Sequence, residues 1–252
     1  MSDRGSVPVL AVERLAKSFG GVEALRDVSF AVSAGEIVAI IGPNGAGKTT
    51  CFNLVNGQLV PDAGSVALLG RRIDGLPARE IARAGVGRTF QVAATFASMT
   101  VRENVQMALI AHSGGQRGLA CRATDRFAAE ADALLERIGM RALADHGCAT
   151  LPYGEAKRLE LALALANAPT LLLMDEPTAG LPAAERDYVM RLAGDLARSE
   201  HVAVLFTEHD MDIVFGHADR VIVLDRGSVL AQGDAESVRA DPRVRNAYLG
   251  IA

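Results

Sequence analysis

Two short strings in the sequence carry residues able to do chemistry on a phosphate. The first is Gly42-Pro43-Asn44-Gly45-Ala46-Gly47-Lys48-Thr49, followed by Thr50. It fits the pattern G-x-x-x-x-G-K-[ST], which needs a strand before it and a helix after it. Glycines let successive backbone N–H groups turn inward around anionic oxygens, and the helix start adds its positive end. Lys48 is a point charge suited to β- and γ-phosphates, and the Thr49 hydroxyl is a ligand for Mg2+. The second string is Leu171-Leu172-Leu173-Met174-Asp175-Glu176, an apolar run ending in two carboxylates. Read alone, the acidic pair either caps the next helix or does metal and proton work. Beside a phosphate loop, Asp175 is placed to hold Mg2+ and Glu176 to orient or deprotonate an attacking water.

Both strings need a rigid support. The run Ile37–Ile41, apolar and β-branched, reads as a strand buried on both faces. The segment Gly47–Asn56 reads as the helix that the phosphate loop opens. Short strands are expected at Val9–Val12, Val28–Val32 and Ser65–Leu69. Helical patterns dominate Val101–Ile138, with a Gly- and Arg-rich loop at His112–Arg122. Helices at Glu155–Ala168 and Ala183–Ser199 alternate with buried strands at Thr170–Met174 and Val202–Phe206. Val221–Leu224 and Val229–Ala231 flank Asp225-Arg226-Gly227, a hairpin signal. Alternating strands and helices predict an α/β layer architecture with a mainly parallel sheet.

Composition narrows the classes. The chain has 252 residues, 50% of them hydrophobic and 22% charged, which is enough for a sizeable core and fits one large or two small domains. A net charge of −4 argues against a general nucleic-acid footprint. With 8 Phe, 3 Tyr and no Trp, aromatic membrane belts are not expected, and the longest apolar stretch, Leu161–Met174, is broken by Asn167, Pro169 and Thr170. Cys51, Cys121 and Cys148 are scattered, with no C-x-x-C, which suits a reducing compartment. MSDRGSVPVL carries no apolar signal segment, so cytoplasmic residence is the default expectation.

Together with three further strings, these motifs resemble an ATP-binding cassette (ABC) ATPase over nearly the whole chain. The resemblance implies a P-loop NTPase (RecA-like) α/β core, an N-terminal antiparallel β subdomain and an α-helical subdomain, with ATP and Mg2+ as ligands. It implies a single cassette over residues 1–252, a helical subdomain at about 92–158 and a tail at about 233–252. Gln91, in Arg88-Thr89-Phe90-Gln91, resembles the glutamine that contacts Mg2+ and water. His209, in Thr207-Glu208-His209-Asp210, resembles the switch histidine at the γ-phosphate. Phe19 resembles the aromatic that stacks on adenine, the plainer reading being a core phenylalanine. By the same resemblance Gly42, Asn44, Gly45, Gly47, Lys48, Thr49 and Thr50 bind nucleotide, Glu176, His209 and Gln91 are catalytic, and Thr49, Gln91 and Asp175 hold Mg2+.

Two strings compete for the family signature, which aims a helix start at the γ-phosphate of an opposite subunit. Ser113-Gly114-Gly115-Gln116 is closer in spelling but lies in the basic loop. Leu151-Pro152-Tyr153-Gly154-Glu155 opens a helix, and is taken as the signature. Pro152 stands where the family usually has Ser, and Pro182 where it usually has Asp. Losing the serine hydroxyl removes a charge-assisted hydrogen bond worth about 1.5–3 kcal/mol. The expectation is a heterodimer with a second, different ATPase, a homodimer being the alternative.

Arg88-Thr89-Phe90-Gln91, the Tyr-Gly-Glu signature, Arg158-Leu159-Glu160, Ala179-Gly180-Leu181 and the tail Asp241-Pro242 to Ala247-Tyr248-Leu249-Gly250 resemble the branched-chain amino-acid uptake ATPases. That implies integral membrane permease subunits, an extracytoplasmic binding protein acting indirectly, no nucleic acid, and a peripheral place on the inner face of the cell membrane. The rival readings are the ATPase of a lipid or lipopolysaccharide exporter and an Fe–S assembly ATPase.

Overall fold

The structure is a computed structural model and describes residues 7–89, 95–113 and 127–249. Among these the strands form two sheets. The first is antiparallel, in the order β2 (Val22–Val32), β1 (Leu10–Phe19), β4 (Ala63–Leu68), β5 (Arg71–Arg72). The second runs β10 (Ser228–Gly233), β9 (Arg220–Asp225), β3 (Ile37–Ile41), β8 (Ala203–Thr207), β7 (Leu171–Asp175), β6 (Val86–Arg88). It is parallel from β9 to β6, and β10 joins antiparallel at the edge.

The central strands are buried on both faces, as their unbroken apolar runs predict. All five residues of each of β3, β7 and β8 are buried. Alternate residues serve two cores. Ile37, Ala39, Ile41, Leu172, Met174, Val204 and Phe206 face the cluster that includes α4 (Ala128–Arg137), α5 (Tyr153–Leu165) and α6 (Ala183–Glu200). Val38, Ile40, Leu171, Leu173, Ala203 and Leu205 face α1 (Lys48–Val55) and the antiparallel sheet. The pleat thus turns one apolar run into two cores. Asp225-Arg226-Gly227 makes the expected hairpin, with Arg226 and Gly227 both at positive φ (46° and 80°).

The helices α3 (Val101–His112), α4 and α5 pack against one another. A capping box starts α3: Glu103 N donates to Thr100 Oγ1 at 3.2 Å and Thr100 N to Glu103 Oε2 at 2.7 Å. Among the described residues, no helix is long and apolar enough to cross a membrane.

Several elements differ from the sequence expectations. The first strand runs to Phe19 rather than Val12. Glu13, Arg14 and Lys17 interrupt its apolar pattern, and register shifts near Arg14 (φ 47°) break the alternation. The signature helix starts at Tyr153, with Pro152 as its N-cap, and ends at Leu165 rather than Ala168. Short α2 (Ala78–Arg83), α7 (Met211–His217) and α8 (Ala235–Ala240), with strand β6, have too few residues to show a period. A last turn, α9 (Pro242–Val244), begins on Pro242.

Candidate nucleotide site

Four parallel strands end at one edge of the large sheet, where ligands bind in open α/β folds. The phosphate loop follows β3, Asp175 ends β7, and His209 follows β8. Gln91 follows β6 but lies outside the described residues.

The loop is sterically committed to glycine. A Cβ at Gly42 would stand 2.3 Å from the Leu224 carbonyl oxygen. Gly47 N-caps α1 at φ +104°, and a Cβ there would stand 2.6 Å from the Ala24 carbonyl oxygen. No side chain caps α1, so its first N–H groups are left for an anion. Asn44, Gly45 and Thr49 are exposed and Thr50 is half-buried. Lys48 folds back into the loop, donating to the carbonyls of Gly42 at 2.6 Å and Pro43 at 3.2 Å. Burial pushes the Lys48 ammonium below its ordinary pKa, and the carboxylates of Glu176 and Asp175 oppose that shift. Lys48 and the two carboxylates therefore share one electrostatic site.

Asp175 is gripped at both oxygens. Thr207 Oγ1 donates to Oδ1 at 2.8 Å, and Arg88 Nη2 donates to Oδ2 at 3.2 Å. Cross-strand register explains the first contact, since Asp175 pairs with Thr207 between β7 and β8. Glu176 takes a left-handed backbone conformation at φ 49°, uncommon for a non-glycine residue. Its N–H donates to the Thr207 carbonyl at 3.1 Å and to Thr207 Oγ1 at 3.2 Å. The turn brings Glu176 Oε1 within 2.6 Å of His209 Nε2. The His209 side chain remains 47% exposed, so the pair faces solvent. Behind it, buried Glu208 accepts from Thr178 N at 2.9 Å, Thr178 Oγ1 at 2.6 Å and His209 N at 3.1 Å.

Asp175 and the Thr49 hydroxyl are hard oxygen donors, suited to Mg2+. Among the described residues no cluster of three His, Cys, Asp or Glu could hold a metal. A divalent ion here would take its other ligands from phosphates and water, which is the usual Mg2+ arrangement. The donor set fits the ion.

Phe19 is 45% exposed at the end of β1, with Lys17 Nζ 5.6 Å from its ring centre. It is not a core residue, and its ring is open to a stacking partner. Leu151–Glu155, the string taken for the signature, stand at the start of α5. Leu151, Gly154 and Glu155 are half-buried, and Pro152 and Tyr153 are exposed. Tyr153 Oη donates to the Ala179 carbonyl at 3.2 Å, and a Cβ at Gly154 would stand 1.8 Å from Glu185 Oε2. Pro182 N-caps α6 as Pro152 caps α5, both without a side-chain acceptor. Of the competing string, Ser113 is the C-cap of α3, and Gly114–Gln116 lie outside the described residues.

Three contributors to the site were not singled out by sequence reasoning: Arg88, Thr207 and Glu208. Each lies inside a motif recognised for a neighbour, Gln91 or His209. Their roles depend on partners brought close by strand pairing, for which one sequence carries no local signal.

The family described as ABC transporter matches residues 25–179, and a second, described as branched-chain amino acid ATP-binding cassette transporter, matches residues 228–252. The chain is 41% identical over 256 aligned residues to the high-affinity branched-chain amino acid transport ATP-binding protein LivG of Salmonella typhimurium, covering 98% of this chain and 100% of the relative. Its fold matches the ADP conformation of MJ1267, an ATP-binding cassette of an ABC transporter, with a TM-score of 0.87 and 29% identity over 98% of this chain and 100% of that one. It also matches MJ0796, solved as a dimer in a post-hydrolysis state bound to ADP and Pi, with a TM-score of 0.76 and 27% identity over 90% and 98%. With the phosphate loop, the acidic strand end and the exposed histidine gathered at one sheet edge, the chain belongs to the ABC transporter family as one of its ATP-hydrolysing cassettes.

Proposed function

We propose that this chain is the ATPase subunit of an importer for branched-chain amino acids, acting through separate permease subunits in the membrane. The LivG likeness over the whole chain and the tail family at residues 228–252 support that substrate class. The reading places the chain on the cytoplasmic face of the membrane, with an extracytoplasmic binding protein delivering solute to the permease.

The observation that carries the mechanism is the 2.6 Å contact between Glu176 and His209 beside the phosphate loop. ATP phosphates lie against the N–H groups of the loop and the start of α1, and Lys48 turns from its own carbonyls to the β- and γ-oxygens. Phe19 stacks on the base. Thr49, Asp175 and Gln91 would hold Mg2+, which would supply positive charge to offset that of the β- and γ-phosphates. Glu176 accepts a proton from the attacking water, and His209 fixes the carboxylate and donates to the γ-phosphate. Little covalent work is required, because positioning and electrostatics carry phosphoryl transfer.

Leu151–Glu155, at the start of α5, serve an ATP held by a second cassette, a helix start being suited to a phosphate. The dimeric MJ0796 supports pairing of cassettes. Pro152 and Pro182 point to a different second subunit rather than an identical one. Helices within about residues 92–158 form the arm that grips the permease, and residues from about 233 form the tail of the same single cassette.

Glu176→Gln tests the assignment. The variant is expected to bind ATP with wild-type affinity and to lose at least ~100-fold in turnover, the order expected for a removed general base. Wild-type turnover would take Glu176 out of this role.

A further inference from the structure

Arg88 ends β6 and reaches across to β7 and α1. Nη2 donates to Asp175 Oδ2 at 3.2 Å, while Nη1 donates to Asn53 Oδ1 at 3.0 Å and Gln58 Oε1 at 3.3 Å. The Arg88 and Asp175 side chains are only 12% and 10% exposed, so this ion pair is largely out of water. Asn53 lies on α1, the helix that begins with Lys48 and Thr49. Arg88 also lines two cavities of about 410 and 290 Å3, the first bounded by α2, β6, α3 and α5 and the second by β6, α3 and α5. One arginine thus joins the acidic strand end, the phosphate-loop helix and the lining of these cavities.

We propose that Arg88 is a positioning residue that acts as the resident cation of Asp175: it aims the carboxylate before a divalent ion is present and yields Oδ2 when that ion arrives with the nucleotide. The inference rests on the reading of Asp175 as a metal ligand. Thr207 keeps Oδ1, so the carboxylate does not swing when Arg88 lets go. Asn53 and Gln58 keep hold of Nη1, so the released guanidinium stays lodged between α1 and the cavities. A dication and a guanidinium compete for one oxygen, because each is stabilised there by the same negative charge. Metal binding and the Arg88–Asp175 contact therefore oppose each other, and the opposition is reciprocal. Each arrival of the ion changes a contact of a residue that also lines the cavities.

The test uses the full chain with AMP-PNP, a non-hydrolysable ATP analogue, and Mn2+ counted by electron paramagnetic resonance. Arg88→Met should bind Mn2+ roughly ten- to a hundredfold more tightly than wild type, the equivalent of one charge-assisted hydrogen bond that no longer competes. Its affinity for AMP-PNP in EDTA should stay within about twofold, and Arg88→Lys should fall between wild type and Arg88→Met. Unchanged or weaker Mn2+ binding in Arg88→Met, with weakened binding in Asp175→Asn, overturns the inference and leaves the metal site standing. Wild-type Mn2+ affinity in Asp175→Asn overturns both. Should Arg88→Met fail to fold, the guanidinium 15N resonances of wild-type Arg88 in the AMP-PNP complex decide. They should move on adding Mg2+, and signals that stay in place refute the exchange.

Discussion

Replacing Thr207 with Val isolates what holds the acidic strand end in place. Thr207 is 1% exposed and paired between Ile40 and Asp175 in the middle of the sheet. Val has nearly the same shape, so no cavity opens and the strand keeps its β-branched packing. What is lost is the 2.8 Å hydrogen bond to Asp175 Oδ1 and the second acceptor for the Glu176 N–H. The Glu176 N–H keeps the Thr207 carbonyl at 3.1 Å, so it is not orphaned. Asp175 Oδ1 loses a donor while buried, which costs about 1.5–3 kcal/mol. In a chain of this size that corresponds to a fall in Tm of roughly 3–6 °C. Turnover should fall by about tenfold or more, since each 1.4 kcal/mol of misplaced charge in the transition state is a factor of ten. Urea unfolding of metal-free protein gives the stability difference, and phosphate release gives turnover. Thr207→Ser, which keeps the hydroxyl, should retain most of both. If Thr207→Val unfolds at the wild-type urea concentration, or Thr207→Ser loses as much, the hydroxyl is not what supports Asp175.

Two other groups give independent checks. Burial pushes the Cys51 thiol up to about 12, so native protein at pH 8 should leave Cys51 unlabelled by iodoacetamide until it unfolds; rapid native labelling at this position would contradict its place in the core beneath α1. Burial also raises the Glu160 carboxyl above its ordinary 4.5, opposed by Lys157. The folded state then holds that proton more tightly than the unfolded chain does, so the associated stability is present below the unfolded value and is lost as pH rises through the folded one. Glu160→Gln should flatten the urea midpoint against pH above 4.5, and a variant profile parallel to wild type would remove Glu160 as the source.

What the sequence makes legible follows from where the signal resides. The runs at β3 and β7 are buried on both faces, so their apolar residues are contiguous and stand out. The phosphate loop and Asp175-Glu176 are continuous strings whose chemistry needs those residue types in that order. Phe19 and the signature were placed by resemblance, and Phe19 proves exposed rather than core. The grip on Asp175 is different in kind. Thr207 and Arg88 meet it from neighbouring strands, with chain separations of 32 and 87 residues. Only strand order and register bring them together, and neither is written locally in a single sequence. Likewise β1 hides its length because Arg14 at positive φ breaks the alternation of a strand that pairs on both sides.

The central claim is that hydrolysis at Glu176 energises uptake of a branched-chain amino acid by a membrane partner. The direct measurement is leucine accumulation in proteoliposomes holding the assembled complex, with leucine and binding protein outside and ATP enclosed on the side of this chain. Accumulation that needs ATP and disappears when Glu176→Gln replaces the wild-type chain is the predicted result. Leucine uptake that persists with that variant, or ATP turnover by the complex with no leucine moved, would contradict it.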